Sequence, residues 1–566
     1  MEKLIECVPN FSEGRDMNII NRIAEEIRSV EGVRLLNVDP GKATNRTVIT
    51  FAGTPDAVCE AAFKAVKMAS GLIDMRKHKG EHPRFGATDV LPLIPLSGIT
   101  MEETVVYAEN LGKRIGSELN IPVYLYEYAA SEEKRRNLAN CRSGEYEGLP
   151  EKLTDPEWKP DFGPAEFNAM VANAGAIAVG ARNFLIAYNI NLNTSSTRIA
   201  NSIAFDIREK GRVKRIGNPL TGIPVKDENG ELVYEPGMLK GVKGIGWYIE
   251  EYGISQLSFN ITDITLSSVH AVFEAACERA AIRGVRVTGS ELIGLIPLQA
   301  MLDAGTYFLK KQHRSIGIPD DEIIKIAIKS LGLDELTPFN PKERIIEYMI
   351  SDFQENKLAE NTLAGFTRLT ASESPTPGGG SVSALLGALG AALGTMVANL
   401  SSHKKGWDDK WEYFSDWAVK GKNFYEQLLK LIDEDTNAYN DYMKALQLPK
   451  KSQQEIEIRK EAIQKSVINA IEIPLHTMRL SYASMEVIKA MAESGNPNSV
   501  SDAGVGAIAA RAAVAGAGLN VRINIAGMAD KELASQYMDE AVELENKAVI
   551  MESDILNLVI EKICNK

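Results

Sequence analysis

Hydrophobic and polar positions along the first part of the chain follow two periods. Short apolar runs and runs of period two predict strands, and longer runs with apolar positions three and four apart predict helices. Their order is strand, helix, strand, strand, helix, strand, followed by one more helix and one more strand. These predicted elements are 4–8, 16–30, 33–39, 46–52, 55–73, 90–96, 101–119 and 123–126.

The same order returns after a connector with prolines and a tryptophan, residues 149–164. This second series contains a turn-rich insertion, residues 217–237. The order βαββαβ is typical of a ferredoxin-like layer, in which helices cover one face of a sheet. We therefore expect two such sheets with a substrate cleft between them. The elements of the second series are 184–189, 196–209, 242–249, 256–261, 266–282 and 285–288.

From residue 361 onward the strand pattern gives way to long helical periods. They predict an all-α bundle, so the expected fold is multidomain: two ferredoxin-like α+β subdomains followed by an all-α helical bundle. We place the subdomains at 1–181 and 182–349, a linker at 350–357 and the helical domain at 358–566. The helical periods are 417–446, 456–478, 480–491, 505–525 and 530–563.

Composition narrows the class of protein. Apolar residues make up 45% of the chain and charged residues 25%, as in ordinary globular proteins. A net charge of -13 argues against nucleic acid or an anionic membrane as partner. Five widely spaced cysteines and an N-terminus without signal-peptide features predict reduced thiols and a cytoplasmic location. The uncharged window 382–400 is mostly Ala, Gly and Leu, which favours a soluble helical core over a membrane span.

Residues 78–90, HKGEHPRFGATDV, concentrate charged groups between predicted elements. Gly80 and Pro83 interrupt any helix, so His82 is offered on a loop. Charged groups on a loop held by regular elements are more often chemistry than packing. His78 and His82 have the i, i+4 spacing of metal ligands, but Gly80 removes the helix that this spacing requires. We therefore predict no metal site.

In the helical half, Asp435 falls on an apolar stripe, whereas Asp433 and Glu434 point elsewhere. Burial of a carboxyl in mid-helix raises its pKa toward the range useful for proton transfer. The alternative is an aspartate satisfied by a buried partner. The apolar stripe consists of Leu428, Leu431, Ile432, Tyr439, Tyr442 and Leu446.

Two further features of the helical half point to anions. The run 374–381, SPTPGGGS, opens a helix whose free backbone N–H groups can receive an anion. Arg511 and Arg522 lie three turns apart, and therefore on one face, in a nearly uncharged helix. Such arginines need anionic partners, which are either carboxylates like that of Asp435 or a ligand.

Taken together, these motifs resemble a known family over nearly the whole chain. In the first half the resemblance is to the formiminotransferase domain of the bifunctional formiminotransferase-cyclodeaminases, and in the second half to their cyclodeaminase domain. The motifs of the first half are CVPNFSEG (7–14), TNRTV (44–48), HKGEHPRFGATDV (78–90), YLYEYA (124–129), GEYEGLPEKL (144–153), PDFGP (160–164) and KGIGWY (243–248). Those of the second half are PTPGGGSVSALLGALGAALG (375–394), LIDEDTNAY (431–439) and GNPNSVSDAGV (495–505).

The resemblance implies two folate reactions of histidine degradation. The first moves a formimino group from N-formimidoyl-L-glutamate to nitrogen 5 of tetrahydrofolate, and the second closes the product to 5,10-methenyltetrahydrofolate and releases ammonia. It also implies a homo-oligomer that uses folate as co-substrate. Two alternatives stay open: a transferase that takes N-formylglutamate as formyl donor, and a non-catalytic scaffold that binds folate.

By position, the resemblance puts the transferase acid/base group at His82 and the cyclodeaminase acid/base group at Asp435. Asp39, at the end of a predicted strand, either orients the imidazole of His82 or is an ordinary turn residue. The resemblance also implies a folate-contacting segment, which consists of Gly163, Pro164, Ala165, Glu166, Phe167, Asn168, Ala169, Met170, Val171 and Ala172.

Basic residues supply the remaining candidates for binding. Arg46, Lys42 and Arg84 are candidates for holding the carboxylates of a glutamyl donor, although solvated cations are the commoner fate of such residues. Arg511 and Arg522 are candidates for binding folate in the helical half.

Overall fold

A computed structural model describes residues 3–41, 45–80, 84–217, 222–351 and 357–565. The described residues form two compact units. The first comprises the residues up to Ala304 together with those from Leu331 to Ser351, and it holds the sheets. The second comprises Gly305–Ser330 together with the residues from 357 onward, and it is helical. The domain boundaries given above stay predictions.

The first sheet is formed by residues 4–181, and three helices pack together on one of its faces. Alternate strand residues such as Ile5, Phe51 and Leu93 are fully buried in one core with the apolar faces of three helices. The elements are β1 (Leu4–Cys7), β2 (Asn10–Phe11), α1 (Met17–Arg28), β3 (Val33–Gly41), β4 (Arg46–Gly53), α2 (Pro55–Leu72), β5 (Thr88–Ser97), α3 (Met101–Leu119), β6 (Val123–Glu127), α4 (Glu133–Arg136), α5 (Leu138–Cys141), α6 (Leu149–Thr154), α7 (Ala169–Ala174) and β7 (Ile177–Ala181).

This sheet has seven strands and is mixed. Across it the strands run β3, β4, β1, β5, β7, β6, and β2 continues β1 between the same two neighbours. The pairs from β3 to β5 are antiparallel, whereas β7 is parallel to both β5 and β6. The sheet therefore joins an antiparallel half to a parallel half along β5.

The second sheet has four antiparallel strands. Across the sheet they are β13 (Val242–Ile249), β14 (Ile254–Ile261), β8 (Ile186–Leu192) and β15 (Val287–Ile293). Counted along the chain, these are the second, third, first and fourth strands of the sheet. Its elements and those that follow are β8 (Ile186–Leu192), α8 (Thr197–Ile207), β9 (Arg212–Val213), β10 (Arg215–Ile216), β11 (Ile223–Pro224), β12 (Tyr234–Glu235), β13 (Val242–Ile249), β14 (Ile254–Ile261), α9 (Val269–Ile282), β15 (Val287–Ile293), α10 (Leu298–Lys311), α11 (Asp320–Leu331), α12 (Pro341–Arg344) and α13 (Ile346–Ser351).

Long helices form the second unit, as the helical periods predict. Small residues along α15 and α18, such as Gly390 and Gly506, let these two helices approach closely, because a Cβ at either position would meet the backbone of the other helix within about 3 Å. The helices are α14 (Leu363–Thr370), α15 (Gly379–Ser402), α16 (Trp411–Gln447), α17 (Gln453–Ser494), α18 (Val500–Ile525) and α19 (Lys531–Cys564).

One predicted boundary in this unit is wrong. The pattern places a break at residue 479, but α17 is a single helix of 42 residues that runs through it. Pro474 lies inside the helix and is buried. The helix continues because residues on both sides of 479, including Leu475 and Met485, pack into one core with α18 and α19.

α7 and β7 are absent from the predicted elements. Both lie in 168–181, where six of the fourteen residues are alanine and two are glycine. Every residue of β7 is buried, since the strand lies between β5 and β6 in the sheet. A strand that is buried on both faces shows no alternation, so its pattern carries no period.

Within the described parts of the chain, two helices are long and apolar enough to cross a membrane by length and composition alone: α15 and the stretch Pro497–Ile525 that contains α18. Inside the structure, 61% and 50% of their most apolar windows are buried. The core helices of soluble proteins pass the same test, so this observation is weak evidence for a membrane span. The five cysteines are free, as the sequence predicts.

Candidate functional site

Asp435, in the middle of α16, meets the first turn of α15. Its Oδ2 accepts a hydrogen bond from the backbone N–H of Ser381 at 2.8 Å and lies 3.0 Å from the Ser381 hydroxyl. Ser381 is fully buried, and its hydroxyl also lies 2.9 Å from the carbonyl oxygen of Ile432. The anion received by the glycine-rich helix entry is therefore the side chain of Asp435.

Glycine at position 380 makes this approach possible. A Cβ there would lie 2.0 Å from Oδ1 and 2.5 Å from Cγ of Asp435. Real Cβ atoms essentially never approach another atom so closely, so any larger residue at Gly380 displaces the carboxyl. The glycine run of the sequence thus has a steric role at this carboxylate.

The carboxyl of Asp435 lines a cavity of about 340 Å³. Burial raises the pKa of Asp435, as predicted, while its hydrogen bonds with Ser381 act in the opposite direction. Ser381 is also the buried partner that the alternative interpretation requires. The cavity combines backbone of the glycine run with phenols, amides and apolar side chains, and the other lining residues are Pro375, Thr376, Gly378, Gly379, Gly380, Ala438, Tyr439, Tyr442, Val467, Ala470, Asn520, Ile523, Asn524 and Gly527.

Arg511 and Arg522 face α19 and do not line this cavity. Arg511 Nε donates to Glu552 Oε2 at 3.0 Å, and Arg522 donates to both carboxylate oxygens of Glu545, at 2.5 and 2.6 Å. Both arginines line a separate cavity of about 480 Å³. The sequence left either carboxylates or a ligand as partners of these two arginines, and in the structure their partners are the carboxylates of Glu552 and Glu545. The assignment of these arginines to folate stays a prediction.

His82 lies outside the described residues, but the chain on both sides of it is described. Before it, His78 is buried with Nε2 at 2.9 Å from the carbonyl oxygen of Asn45. The side-chain amide of Asn45 donates to the carbonyl oxygen of Lys79 at 3.0 Å. His78 therefore ties the start of the loop to the segment that precedes β4.

After His82, the chain is hydrogen-bonded to residues 174–176, which lie just after the segment predicted to contact folate. The backbone N–H of Ala176 donates a hydrogen bond to the carbonyl oxygen of Phe85. The backbone N–H of Ala87 donates one to the carbonyl oxygen of Ala174. Gly86 and Gly175 form a β-bridge at this point. The structure thus brings the loop against the end of α7, although the two segments are far apart in sequence.

The predicted folate segment, residues 163–172, is a turn followed by the start of α7. Gly163 has φ 84°, and a Cβ there would lie 2.3 Å from the carbonyl oxygen of Ile121, so the turn requires glycine. The side chain of Asn168 accepts the N–H groups of Met170 and Val171, both at 3.0 Å, and so caps α7. Most of this segment is exposed.

A cavity of about 430 Å³ is lined by residues of both sheets of the first unit. Four basic side chains and two carboxylates are among its described lining residues. Burial lowers the pKa of Arg46 to about 10, and burial raises that of Glu127. The charged lining residues are Arg46, Arg142, Arg182, Lys243, Glu127 and Asp263.

Of the two described candidates for binding glutamate, Arg46 lines this cavity and Arg84 does not. Lys42 lies outside the described residues, and Arg84 pairs with Glu147 and lies 3.5 Å from Glu145. Asp39 is exposed on β3, in register with Val48.

Sequence reasoning missed three cations of the cavity. Arg142 and Arg182 stand in no motif that the pattern singled out. Lys243 is the first residue of the KGIGWY motif, so the motif could have indicated this cation as a candidate for the site.

Among the described residues, no group of three or more His, Cys, Asp or Glu side chains is placed to hold a metal ion.

Three family models match the chain in succession. They are the formiminotransferase domain, N-terminal subdomain, at residues 4–182; the formiminotransferase domain at 187–351; and formiminotransferase-cyclodeaminase at 362–543. A transferase model therefore matches each sheet, and a cyclodeaminase model matches the helices that carry Asp435.

Full-length relatives agree. The formimidoyltransferase-cyclodeaminase of Gallus gallus is 43% identical over 550 residues, which covers 97% of each chain. That of Dictyostelium discoideum is 42% identical over 568 residues and covers 100% of each. The glutamate formimidoyltransferase of Thermoplasma acidophilum is 42% identical over 309 residues, 54% of this chain and 92% of its own. The chain belongs to the formimidoyltransferase-cyclodeaminase family.

Proposed function

We propose that this chain catalyses two consecutive folate reactions. The first transfers the formimino group of N-formimidoyl-L-glutamate to nitrogen 5 of tetrahydrofolate. The second cyclises 5-formimidoyltetrahydrofolate to 5,10-methenyltetrahydrofolate and releases ammonia. The observation that carries the proposal is the partly buried carboxyl of Asp435 at a cavity in the helical unit, in a chain whose first unit has a second, cationic cavity.

In the transferase reaction, nitrogen 5 loses a proton as it attacks the amidine carbon, and the glutamate nitrogen gains one as it leaves. One imidazole near neutral pKa serves both steps, and this is the role of His82. Asp39 is its orienting partner. The position of the loop supports this role, since its described end lies against α7.

The cationic cavity of the first unit binds the donor. N-formimidoyl-L-glutamate carries two carboxylates, and guanidinium groups bind carboxylates through paired hydrogen bonds. The basic lining residues, Arg46, Arg142, Arg182 and Lys243, support this assignment. Tetrahydrofolate contacts residues 163–172, where the exposed side chains of Phe167 and Met170 offer apolar surface to a ring system.

In the cyclodeaminase reaction, nitrogen 10 attacks the formimino carbon and ammonia leaves. Asp435 accepts the proton of nitrogen 10 and returns it to the departing nitrogen. A raised pKa suits this exchange because it brings the carboxyl closer to the working pH. Tyr439, Asn520 and Asn524 supply polar groups along the cavity, and Arg511 and Arg522 contact folate beyond it.

Tetrahydrofolate is a co-substrate of the transfer, its formimidoyl derivative is the substrate of the cyclisation, and neither step is assigned a metal. Both sheets are ferredoxin-like. Across the first sheet, four of the strands lie in the order β3, β4, β1, β5. Counted along the chain, these four are second, third, first and fourth, which is also the order in the second sheet, and this agreement supports the assignment.

The chain works in the cytoplasm as a homo-oligomer, without nucleic acid or membrane as partner. Large apolar side chains on the surfaces of α15 and α18 support subunit packing, among them Leu389, Val505, Leu519 and Ile523.

The test is to supply purified protein with tetrahydrofolate and N-formimidoyl-L-glutamate, and to follow methenyltetrahydrofolate absorbance and ammonia. The native chain is expected to form both. His82→Ala should abolish both products, whereas Asp435→Ala should accumulate 5-formimidoyltetrahydrofolate because cyclisation slows by roughly a hundredfold to ten-thousandfold.

N-formyl-L-glutamate is the matched alternative donor. Consumption of this donor in place of the formimino compound would move the assignment to formyl transfer. Binding of folate without either product would leave a non-catalytic scaffold.

A further inference from the structure

Asp89, near the start of β5, is a buried carboxylate that joins the cationic cavity to the loop after His82. Only 1% of its side chain is exposed. Its Oδ2 accepts a hydrogen bond from Arg46 Nη1 at 2.9 Å and another from Arg142 Nη2. Its Oδ1 accepts the backbone N–H of Phe85 at 3.0 Å. One carboxylate therefore contacts two cavity arginines and the backbone three residues beyond His82.

Groups other than Asp89 also hold the two arginines. Arg46 begins β4, and its Nε donates to Asn10 Oδ1 at 2.9 Å. Lys152 Nζ donates to the carbonyl oxygens of Cys141 and Ser143, at 2.6 and 3.2 Å, and these carbonyls flank Arg142. Asp89 contacts both arginines at the Nη ends of their guanidinium groups.

Arg142 keeps one unused hydrogen-bond donor in this cluster. Its guanidinium group and that of Arg46 share the carboxylate of Asp89. The Nε–H of Arg142 is buried and has no hydrogen-bond partner in the described part of the chain. An anion that enters the cavity would meet a guanidinium group whose hydrogen bonds are not all made.

We propose that Asp89 is a positioning residue for the transferase reaction: it aims Arg46 and Arg142 at a carboxylate of the glutamyl donor and fixes the backbone at Phe85. This inference rests on the proposed function. Asp89 itself does not contact the donor, since both arginines line the cavity and Asp89 does not. The two oxygens of Asp89 have separate tasks, which variants can separate.

Asp89→Asn is the first variant. Asparagine keeps an oxygen for the Phe85 N–H but replaces the anionic oxygen with an amide donor that faces two cations. We expect transferase kcat/KM to fall about a hundredfold, with KM for N-formimidoyl-L-glutamate raised about tenfold and KM for tetrahydrofolate little changed. Cyclisation of supplied 5-formimidoyltetrahydrofolate by the same preparation should stay within about twofold of native.

Arg142→Ala is the second variant, and it leaves the bond between Asp89 and Phe85 in place. It should raise KM for the donor about tenfold with kcat close to native, because only binding of the carboxylate is lost. Guanidinium ion added at low concentration should restore part of the affinity. Glu60→Gln is the matched control, since it removes an arginine–carboxylate pair, with Arg114, that lies on the helices and not at the cavity.

A donor KM that stays native in both Asp89→Asn and Arg142→Ala overturns the proposal. So does a loss of transferase activity in Glu60→Gln equal to that in Asp89→Asn, because a general effect on the fold would then suffice. If Asp89→Asn does not accumulate as folded protein, the donor KM of Arg142→Ala decides. Absence of formimino transfer by the native chain would instead refute the proposed function itself.

Discussion

Ser381 donates its backbone N–H to Oδ2 of Asp435 across 2.8 Å, although the two residues are 54 positions apart. The bond joins the first turn of α15 to the middle of α16. A helix N-terminus favours the charged carboxylate, whereas burial favours the neutral form, and for Asp435 burial has the larger effect on the pKa. This opposition leaves the carboxyl able to take up and release a proton.

Gly380→Ala should damage cyclisation and spare transfer. The added Cβ would lie 2.0 Å from Asp435 Oδ1, so the carboxyl must leave its position against α15. We expect the cyclodeaminase kcat to fall roughly a hundredfold, because a displaced proton-transfer group loses its alignment. The measurement is ammonia release from supplied 5-formimidoyltetrahydrofolate, with formimino transfer assayed in the same preparation.

Gly71→Ala is the control for that substitution. Gly71 lies near the end of α2, and a Cβ there meets no atom within 4 Å. Alanine at this site should leave both activities native and stabilise the fold by about 0.4–1 kcal/mol. Native cyclisation in Gly380→Ala would show that the position of Asp435 is not critical.

Ser381→Ala should shift the pH dependence of cyclisation. The Ser381 hydroxyl lowers the pKa of Asp435, so its removal should raise that pKa further. If the carboxylate form accepts the proton of nitrogen 10, the acidic limb of the cyclodeaminase kcat profile moves to higher pH. The transferase profile of the same protein serves as reference. A limb that stays in place or moves to lower pH would contradict the role of Asp435.

Arg522→Ala tests the assignment of this arginine to folate. If Arg522 exchanges Glu545 for an anionic group of folate, the cyclodeaminase KM for folate should rise about tenfold. Arg479→Ala is the control, since Arg479 makes an equivalent two-point pair with Glu540 and lines neither the Asp435 cavity nor the cavity at Arg522. Equal KM values for folate in the two variants would show that Arg522 does not bind folate and that its pair with Glu545 is a structural contact.

Glu6→Gln should change stability in a pH-dependent way. Glu6 is 2% exposed on β1, and burial raises its pKa from 4.5 to about 8. Between these values the folded chain holds a proton that the unfolded chain has released, so native stability falls as pH rises through this window.

Glutamine resembles the protonated form and does not titrate. The variant should therefore match native near pH 4 and exceed it above pH 8 by on the order of a few kcal/mol. Hydrogen exchange of the β1 amides, compared at each pH, measures the difference. A difference that does not depend on pH would show that Glu6 is not the titrating group.

Elements with a clear period were predictable from the sequence. α3 was predicted at 101–119 and lies at Met101–Leu119, where Thr100 and Glu103 form a capping box. The position of Asp435 on an apolar stripe predicted both its partial burial and the direction of its pKa shift.

Partners across the fold were not predictable. The stripe gave no indication that Ser381 would be the partner of Asp435, because that contact depends on how α15 packs on α16. Arg142 follows a four-residue helix without a period, and only the tertiary structure brings it to Asp89. A pattern along the chain reports which face is buried, but not which residue lies opposite.

The place of β7 in the first sheet has a consequence for synthesis of the chain. Val90 on β5 and Tyr124 on β6 both pair with Ala178 on β7. The parallel pairing of β5 and of β6 therefore cannot form until β7 has been synthesised. Closing such long loops costs entropy that only the completed pairing offsets. During translation, the hydrogen bonds that tie Phe85 and Ala87 to residues 174–176 must wait for the same segment. A ribosome that pauses before residue 174 therefore holds a chain whose cationic cavity is not yet assembled.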